Sequence, residues 1–236
     1  MNLTRMKRTG TSLLTLNRDR EYATLLEMLS LKPGDSLLDV GSGDGFWTVR
    51  FAKTCGYVVG LEPDGRTAAW ARQFHATPTV DYIRGTAEVL PFRDGTFDKV
   101  VSVSCLEHFK DPVQGMKEMA RVLKPGGRVA LSTDSLLTEN SSAGFREWHS
   151  RRHYVTRYFD QADLDGIMKE SGLQPEPVRT VHLFRSRIAA QLRTIFIRHP
   201  RPWLPLFPFF YGAVRIADRW ANDTHGQVII STGTRQ

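Results

Sequence analysis

The run Leu37-Leu38-Asp39-Val40-Gly41-Ser42-Gly43-Asp44-Gly45-Phe46 restricts what this chain can fold into more than any other stretch. An apolar segment ends in an acid, three glycines alternate, and Trp47, Val49, Phe51 and Ala52 then follow in a helical pattern. That order predicts a buried strand, a tight turn and a helix. Glycine lets the turn adopt positive φ and leaves no Cβ between the backbone and a ligand. The N–H groups at the start of the helix are expected to form a polar cradle.

The spacing Gly41-x-Gly43-x-Gly45 is not the Gly-x-Gly-x-x-Gly that holds a dinucleotide pyrophosphate. Asp44 lies within the turn and Asp39 just before it. Carboxylates there disfavour a phosphate and suit a ligand with positive charge; S-adenosylmethionine fits, with its sulfonium, α-amino group and ribose hydroxyls. Tyr57 to Glu62 reads as a second apolar strand ending in an acid, 17 residues after Gly45 and just before Pro63. A carboxylate at that strand tip can accept two hydrogen bonds from a ribose diol; the alternative is an ordinary surface glutamate.

The 236 residues suit one domain, divided into an N-terminal arm and covering helix (1–35), a cofactor-binding core (36–133), a lid (134–160) and a basic, aromatic insertion (185–226). Cys55 and Cys105 are too few for a disulfide framework or zinc site, and Met1 to Asn17 lacks the apolar core of a secretion signal. A reducing, cytoplasmic setting is the expectation. Nearly all of the net charge of +7 resides in Arg185, Arg187, Arg193, Arg198, Arg201 and Arg215, a stretch without an acid. A protein that tracks nucleic acid more often spreads its basicity over a face.

Further elements alternate in the βαβ manner. Helices are expected at Arg18–Ser30, with Tyr22, Leu25, Leu26 and Leu29 inward, and at Thr67–Phe74, Pro112–Leu123 and Asp160–Ser171. Strands are expected at Val80–Arg84, Lys99–Ser104, Arg128–Thr133, Val178–Phe184 and Gln227–Thr232.

The stretches LDVGSGDG, GLEPD, GTAEVLPFRDGTFDKVVSVSCLEH and EMARVLKPGGRVALST occur in one order across about 100 residues. In them the chain resembles a class I S-adenosylmethionine-dependent methyltransferase of the type 11 group. The resemblance implies a Rossmann-like α/β fold: a seven-stranded, mostly parallel sheet with helices on both faces and an antiparallel last strand. It also implies that Asp39, Gly41, Gly43 and Gly45 line the methionine end of the cofactor, with Glu62 and Pro63 at the ribose. Thr86, Ala87 and Glu88 would meet the adenine, and Ser104 and Leu106 would lie beside the sulfonium. Relatives usually carry aspartate where this chain has Thr86, which removes a side-chain acceptor for the adenine amino group. His108 is a candidate catalytic residue or a brace for its loop.

Beyond Thr133 the resemblance thins. Phe145, Trp148, His149, His153, Tyr154 and Tyr158 crowd the lid, and His149 and His153, four apart, can share a helix face. One of them serving as general base is preferred to a metal pair, since no third ligand is obvious; no metal is expected. About forty residues separate the last two strands, a length that usually has its own use. Ile188, Leu192, Ile195 and Phe196 are expected on one helical face, followed by the proline-broken aromatic run Pro200 to Tyr211. These suit an interfacial segment on a bilayer, a homodimer contact, a greasy substrate tunnel or plain core.

The resulting expectation is methyl transfer to a small or lipid-linked acceptor, with an oxygen nucleophile as the default, by a protein either free in the cytoplasm or peripheral at a membrane. Alternatives are a cofactor-binding partner protein without turnover and an RNA methyltransferase. Nucleic acid is disfavoured as a partner, because the Asn/Asp-Pro-Pro-Tyr and Pro-Cys signatures of base methylation are absent.

Overall fold

The computed structural model describes residues 16–221 and 224–236, so nearly all of the expected N-terminal arm lies outside the described residues. After helix α1 (Arg18–Leu29) come β1 (Ser36–Val40), the short α2 (Thr48–Phe51), β2 (Tyr57–Glu62), α3 (Gly65–His75), β3 (Val80–Arg84) and β4 (Phe97–Val103). Helix α4 (Pro112–Val122) leads to β5 (Leu123–Asp134), the lid helix α5 (Ala143–His153) and α6 (Gln161–Glu170). Strands β6 (Leu173–Pro175) and β7 (Val181–Leu183) precede helices α7 (Arg187–Arg198), α8 (Pro200–Trp203) and α9 (Phe207–Arg219), and β8 (Val228–Arg235) closes the fold.

The sheet runs β3-β2-β1-β4-β5-β8-β6, with β7 also on β8. Strands β1 to β5 are parallel and β8 runs antiparallel to β5. The segments β6 and β7 take successive lengths of the same edge of β8, so eight segments fill seven positions. Pro175 and Pro177 explain the break: neither offers an N–H to the ladder, and a 3₁₀ turn at Pro177–Arg179 takes its place. Strand β1 is buried from Leu37 to Val40, as a strand covered by helices on both faces must be.

One core face packs α4 and α6 against the sheet through Met116, Met119, Leu164 and Met168. The other takes Leu25 and Leu29 of α1, Phe51 of α2, Ala71 of α3, and Ala189, Phe196 and Val214 of α7 and α9. The insertion is therefore in part a continuation of the core on the α1 side. Strand order reverses at β1, between β2 and β4. A crevice forms at such a reversal, outside the carboxyl ends of the strands.

Among the described residues, four of the six arginines of the basic run are engaged by other parts of the chain. Arg193, buried, meets Asp134 at 2.5 Å, and Arg185 donates to the Asp218 carbonyl at 2.9 Å. Arg198 lies over the Phe145 and Trp148 rings, and Arg215 is 3.8 Å from Asp19. The Asp218 carboxylate accepts from the backbone of Phe184 and Arg185 and pairs with Arg20, tying the insertion to α1. The insertion's proline-broken run is helical, because its prolines occupy the first turns of α8 and α9, where a missing N–H costs nothing.

Candidate active site

Two features meet at the strand reversal: the glycine turn after β1 and a cavity beyond the end of β4. In the turn, Gly41, Gly43 and Gly45 all have positive φ. A Cβ on Gly41 would sit 2.1 Å from the Cys105 sulfur, and one on Gly45 2.5 Å from the Tyr82 hydroxyl, so both are held in close approaches. Gly43 has nothing within 4 Å of its Cβ position and opens onto free space.

The expected cradle of free N–H groups is not what the turn offers. The N–H groups of Gly41 and Ser42 donate to the Leu61 carbonyl, Gly45 to Ser42, Phe46 to Asp44, and Gly43 to the Glu62 carboxylate at 3.1 Å. With only four residues, α2 has no terminus of consequence. The unpartnered polar atoms are side-chain ones: Asp39 Oδ1 and Ser42 Oγ, both buried. The other Asp39 oxygen accepts from the Thr48 hydroxyl at 2.6 Å. Burial pushes the Asp39 carboxyl up to about 7, with Glu62 adding to the effect, and burial raises Glu62 as well. An acidic crevice with an orphaned carboxylate oxygen and a glycine facing open space fits a cationic ligand with hydroxyls to donate.

The residues expected at the ribose and the adenine are placed less evenly. Pro63 is exposed and Glu62 half-buried at the tip of β2, while Ala87 is buried in the core. Glu88 accepts from the N–H of Lys110 at 3.0 Å and so braces the loop before α4. Thr86 is exposed and bridges to Val89. Thr86→Asp is expected to tighten S-adenosylmethionine binding about tenfold, by supplying a charged acceptor, as titration calorimetry would show. Leu106, expected beside the sulfonium, is fully buried in the core and does not line the cavity.

The cavity, about 290 Å³, is lined by Arg18, Ser104, Glu107, His108, His153 and Arg193 among others. Ser104 is left-handed at φ 45°, a conformation uncommon outside glycine, and its hydroxyl accepts from Arg18 of α1 at 2.7 Å. His108 is exposed, with Nδ1 3.2 Å from the Tyr154 carbonyl. A carbonyl only accepts, so in the neutral ring Nδ1 carries the proton and Nε2 the lone pair. His149 is buried, and both ring nitrogens are engaged: Nε2 lies 3.4 Å from Asp134 and Nδ1 3.0 Å from the Tyr158 hydroxyl. Burial carries His149 down to about 4, against the pull of Asp134. The exposed His153 ring lies 4.6 Å from that of His149.

Behind the histidines is a charge network that the sequence does not announce. Asp134, at the end of β5, pairs with Arg193, which also donates to Gln227 at 3.2 Å; Gln227 donates to Ser141 of the lid at 3.0 Å. Burial alone would raise Asp134, but Arg193 and His149 outweigh it and hold the carboxyl low. Glu107, buried beside Asp134, is raised by desolvation and by that neighbour's charge. The available signals were an acid at the end of β5, as at β1 and β2, and an arginine among Ala189, Ala190 and Phe196 on the buried stripe of α7.

Residues 38–131 match the family model described as a methyltransferase domain. An uncharacterized methyltransferase of Mycobacterium sp. (strain JLS) is 40% identical over 103 residues, 42% of this chain and 38% of that protein. A probable S-adenosylmethionine-dependent methyltransferase of Mycolicibacterium smegmatis is 30% identical over 161 residues, 67% of this chain and 59% of that protein. The chain thus spans less than two thirds of either relative. Among solved structures, Haemonchus contortus phosphoethanolamine N-methyltransferase 2 superposes with a TM-score of 0.68 at 21% identity, over 92% of this chain and 52% of that one, and shares the fold. Residues 38–131 thus carry a methyltransferase domain, similar to those of S-adenosylmethionine-dependent relatives.

Proposed function

We propose that this chain transfers a methyl group from S-adenosylmethionine to an oxygen nucleophile on a small-molecule or lipid-linked acceptor seated in the cavity beside Ser104. The observation that carries this reading is the placement of the cavity. Its floor is Ser104, Glu107 and His108, directly beyond the strand next to the glycine turn, and its walls come from α1, the lid and the insertion. When bound, the cofactor would supply an electrophilic sulfonium methyl, which passes in line to an aligned oxygen while S-adenosylhomocysteine leaves as the thioether. The protein's part is positioning and charge.

Asp39 and Ser42 would face the positively charged end of the cofactor, Gly43 would give it room, and Glu62 would accept from the ribose. A hydroxyl acceptor must also lose a proton. The lone pair of His108 Nε2 serves as the base, since Nδ1 is committed to Tyr154. His149 is a positioning residue: held between Asp134 and Tyr158, it stays neutral and fixes the ring of His153 beside it.

The test is calorimetric titration of the full chain with S-adenosylmethionine and S-adenosylhomocysteine, with NADH as control. Micromolar binding of the first two alone is the expected result. Binding of neither, by a folded protein, would overturn the reading in favour of a partner protein without turnover.

A further inference from the structure

Helices α7 and α9 each bury one apolar face and expose another. Inward, Phe196, Trp203, Phe207 and Phe210 pack ring against ring, with centroids 5.4–6.0 Å apart. Outward, Pro202, Leu204, Pro205, Leu206, Pro208 and Phe209 are exposed with no charge among them. The stripe continues along α9 through Phe209, Ala213, Ile216 and Trp220, spaced four, three and four residues apart on a single helical face. Phe209 is 75% exposed, Ile216 64% and Trp220 78%, too much aromatic and aliphatic surface to be scattered exposure. Ile188 and Ile195 of α7 are exposed as well, whereas Phe196, expected on the same helical face, is buried.

Charge decides what covers this surface. The exposed cations around the stripe are Arg187, Arg198, Arg215 and Arg219. Of the nearby carboxylates, Asp218 is buried on Arg20, and Asp19 is half exposed at the edge, 3.8 Å from Arg215. A second copy of this chain would press arginines against arginines. A bilayer with anionic headgroups offers spread negative charge above an apolar interior, and arginine stems can lie along it with their heads at the phosphates.

We propose that the outward face of residues 187–220 docks on an anionic membrane surface, with Phe209, Ile216 and Trp220 entering the headgroup region and the four arginines pairing with lipid phosphates. Among the described residues no helix is long and apolar enough to cross a membrane, so the attachment is peripheral. Docking stands independently of the reaction. Resting on the proposed reaction is only the corollary that a lipid-linked acceptor would enter past Phe196, Ile197 and Pro200, which line the cavity at the root of the exposed run.

The experiment is co-sedimentation of the full chain with phosphatidylcholine vesicles, pure or containing about 30% phosphatidylglycerol. Binding to the anionic vesicles should be at least about tenfold tighter and should weaken with salt. In the double variant Phe209→Ser/Trp220→Ser it should fall about tenfold, with the thermal midpoint and S-adenosylmethionine affinity unchanged. Equal binding by parent and variant, or no sedimentation with either vesicle, overturns the proposal. A parent dimer that the double variant converts to monomer overturns it too, and assigns the face to self-association. Calorimetry with the cofactor is read separately, so loss of docking and loss of the enzymatic reading cannot be confused.

Discussion

Replacing Arg193 by methionine is expected to cost about 3–5 kcal/mol of folding stability, the price of leaving a buried carboxylate without its counter-charge. Asp134 would keep His149 as an ion-pair partner, but that ring's own burial opposes charging. The guanidinium is 4% exposed and bridges α7 to β5 and to Gln227, so its loss also removes one of the links between the insertion and the lid. Urea unfolding measures the change; for a domain of this size the thermal midpoint should fall by about 10 °C. The double variant Arg193→Met/Asp134→Leu should recover much of the loss, because apolar groups in place of both partners leave no orphaned charge. A single variant as stable as the parent would show that the pair contributes nothing net and that the cavity wall is held by packing alone.

The cofactor half of the molecule was legible because its signals are local. A parallel strand buried on both faces must read as a continuous apolar run, and Leu37–Val40 and Tyr57–Glu62 do so, each with its acid at the ligand end. Glycines with positive φ are the least strained way to turn from such a strand, which makes Gly41, Gly43 and Gly45 readable from the sequence. Their N–H groups were misread: nothing local reveals that the Leu61 carbonyl and the Glu62 carboxylate, on the neighbouring strand, take them up.

The acceptor half was illegible for the complementary reason. Asp134, Arg193 and Gln227 lie far apart in sequence and acquire meaning only through tertiary contact. Periodicity also fails where a helix is apolar on two sides. On α7 the inward stripe carries an arginine, while Ile188 and Ile195 point out, so hydrophobicity alone groups them wrongly with the buried Phe196. Strand β8 runs on to Arg235, past the expected end at Thr232, because Gly233 sits where a Cβ would lie 3.0 Å from the Met168 sulfur and 3.1 Å from the Gln174 carbonyl. That glycine marks close packing, not a strand end.

At the cofactor crevice, Glu62→Ala is expected to weaken S-adenosylmethionine binding about 100-fold by removing two charge-assisted hydrogen bonds to the ribose. Glu62 is half-buried, so the thermal midpoint should change little. Unchanged affinity would remove the ribose assignment. Affinity should also follow pH through Asp39, whose carboxyl burial pushes up to about 7. Its folded value lies above the unfolded one near 4, so its contribution to the stability of the free protein is fully present below that pH and is lost as pH rises through about 7. A cationic ligand has the opposite preference and selects the ionised carboxylate. Binding at pH 6 should therefore be about tenfold weaker than at pH 8, and at the lower pH it should release a proton, visible as a heat that depends on the buffer. In Asp39→Asn the slope should vanish while binding stays weak throughout. A parent affinity that is flat between these pH values would mean that the orphaned Asp39 oxygen faces a neutral part of the ligand, and the charge argument for the cofactor's orientation would fall with it.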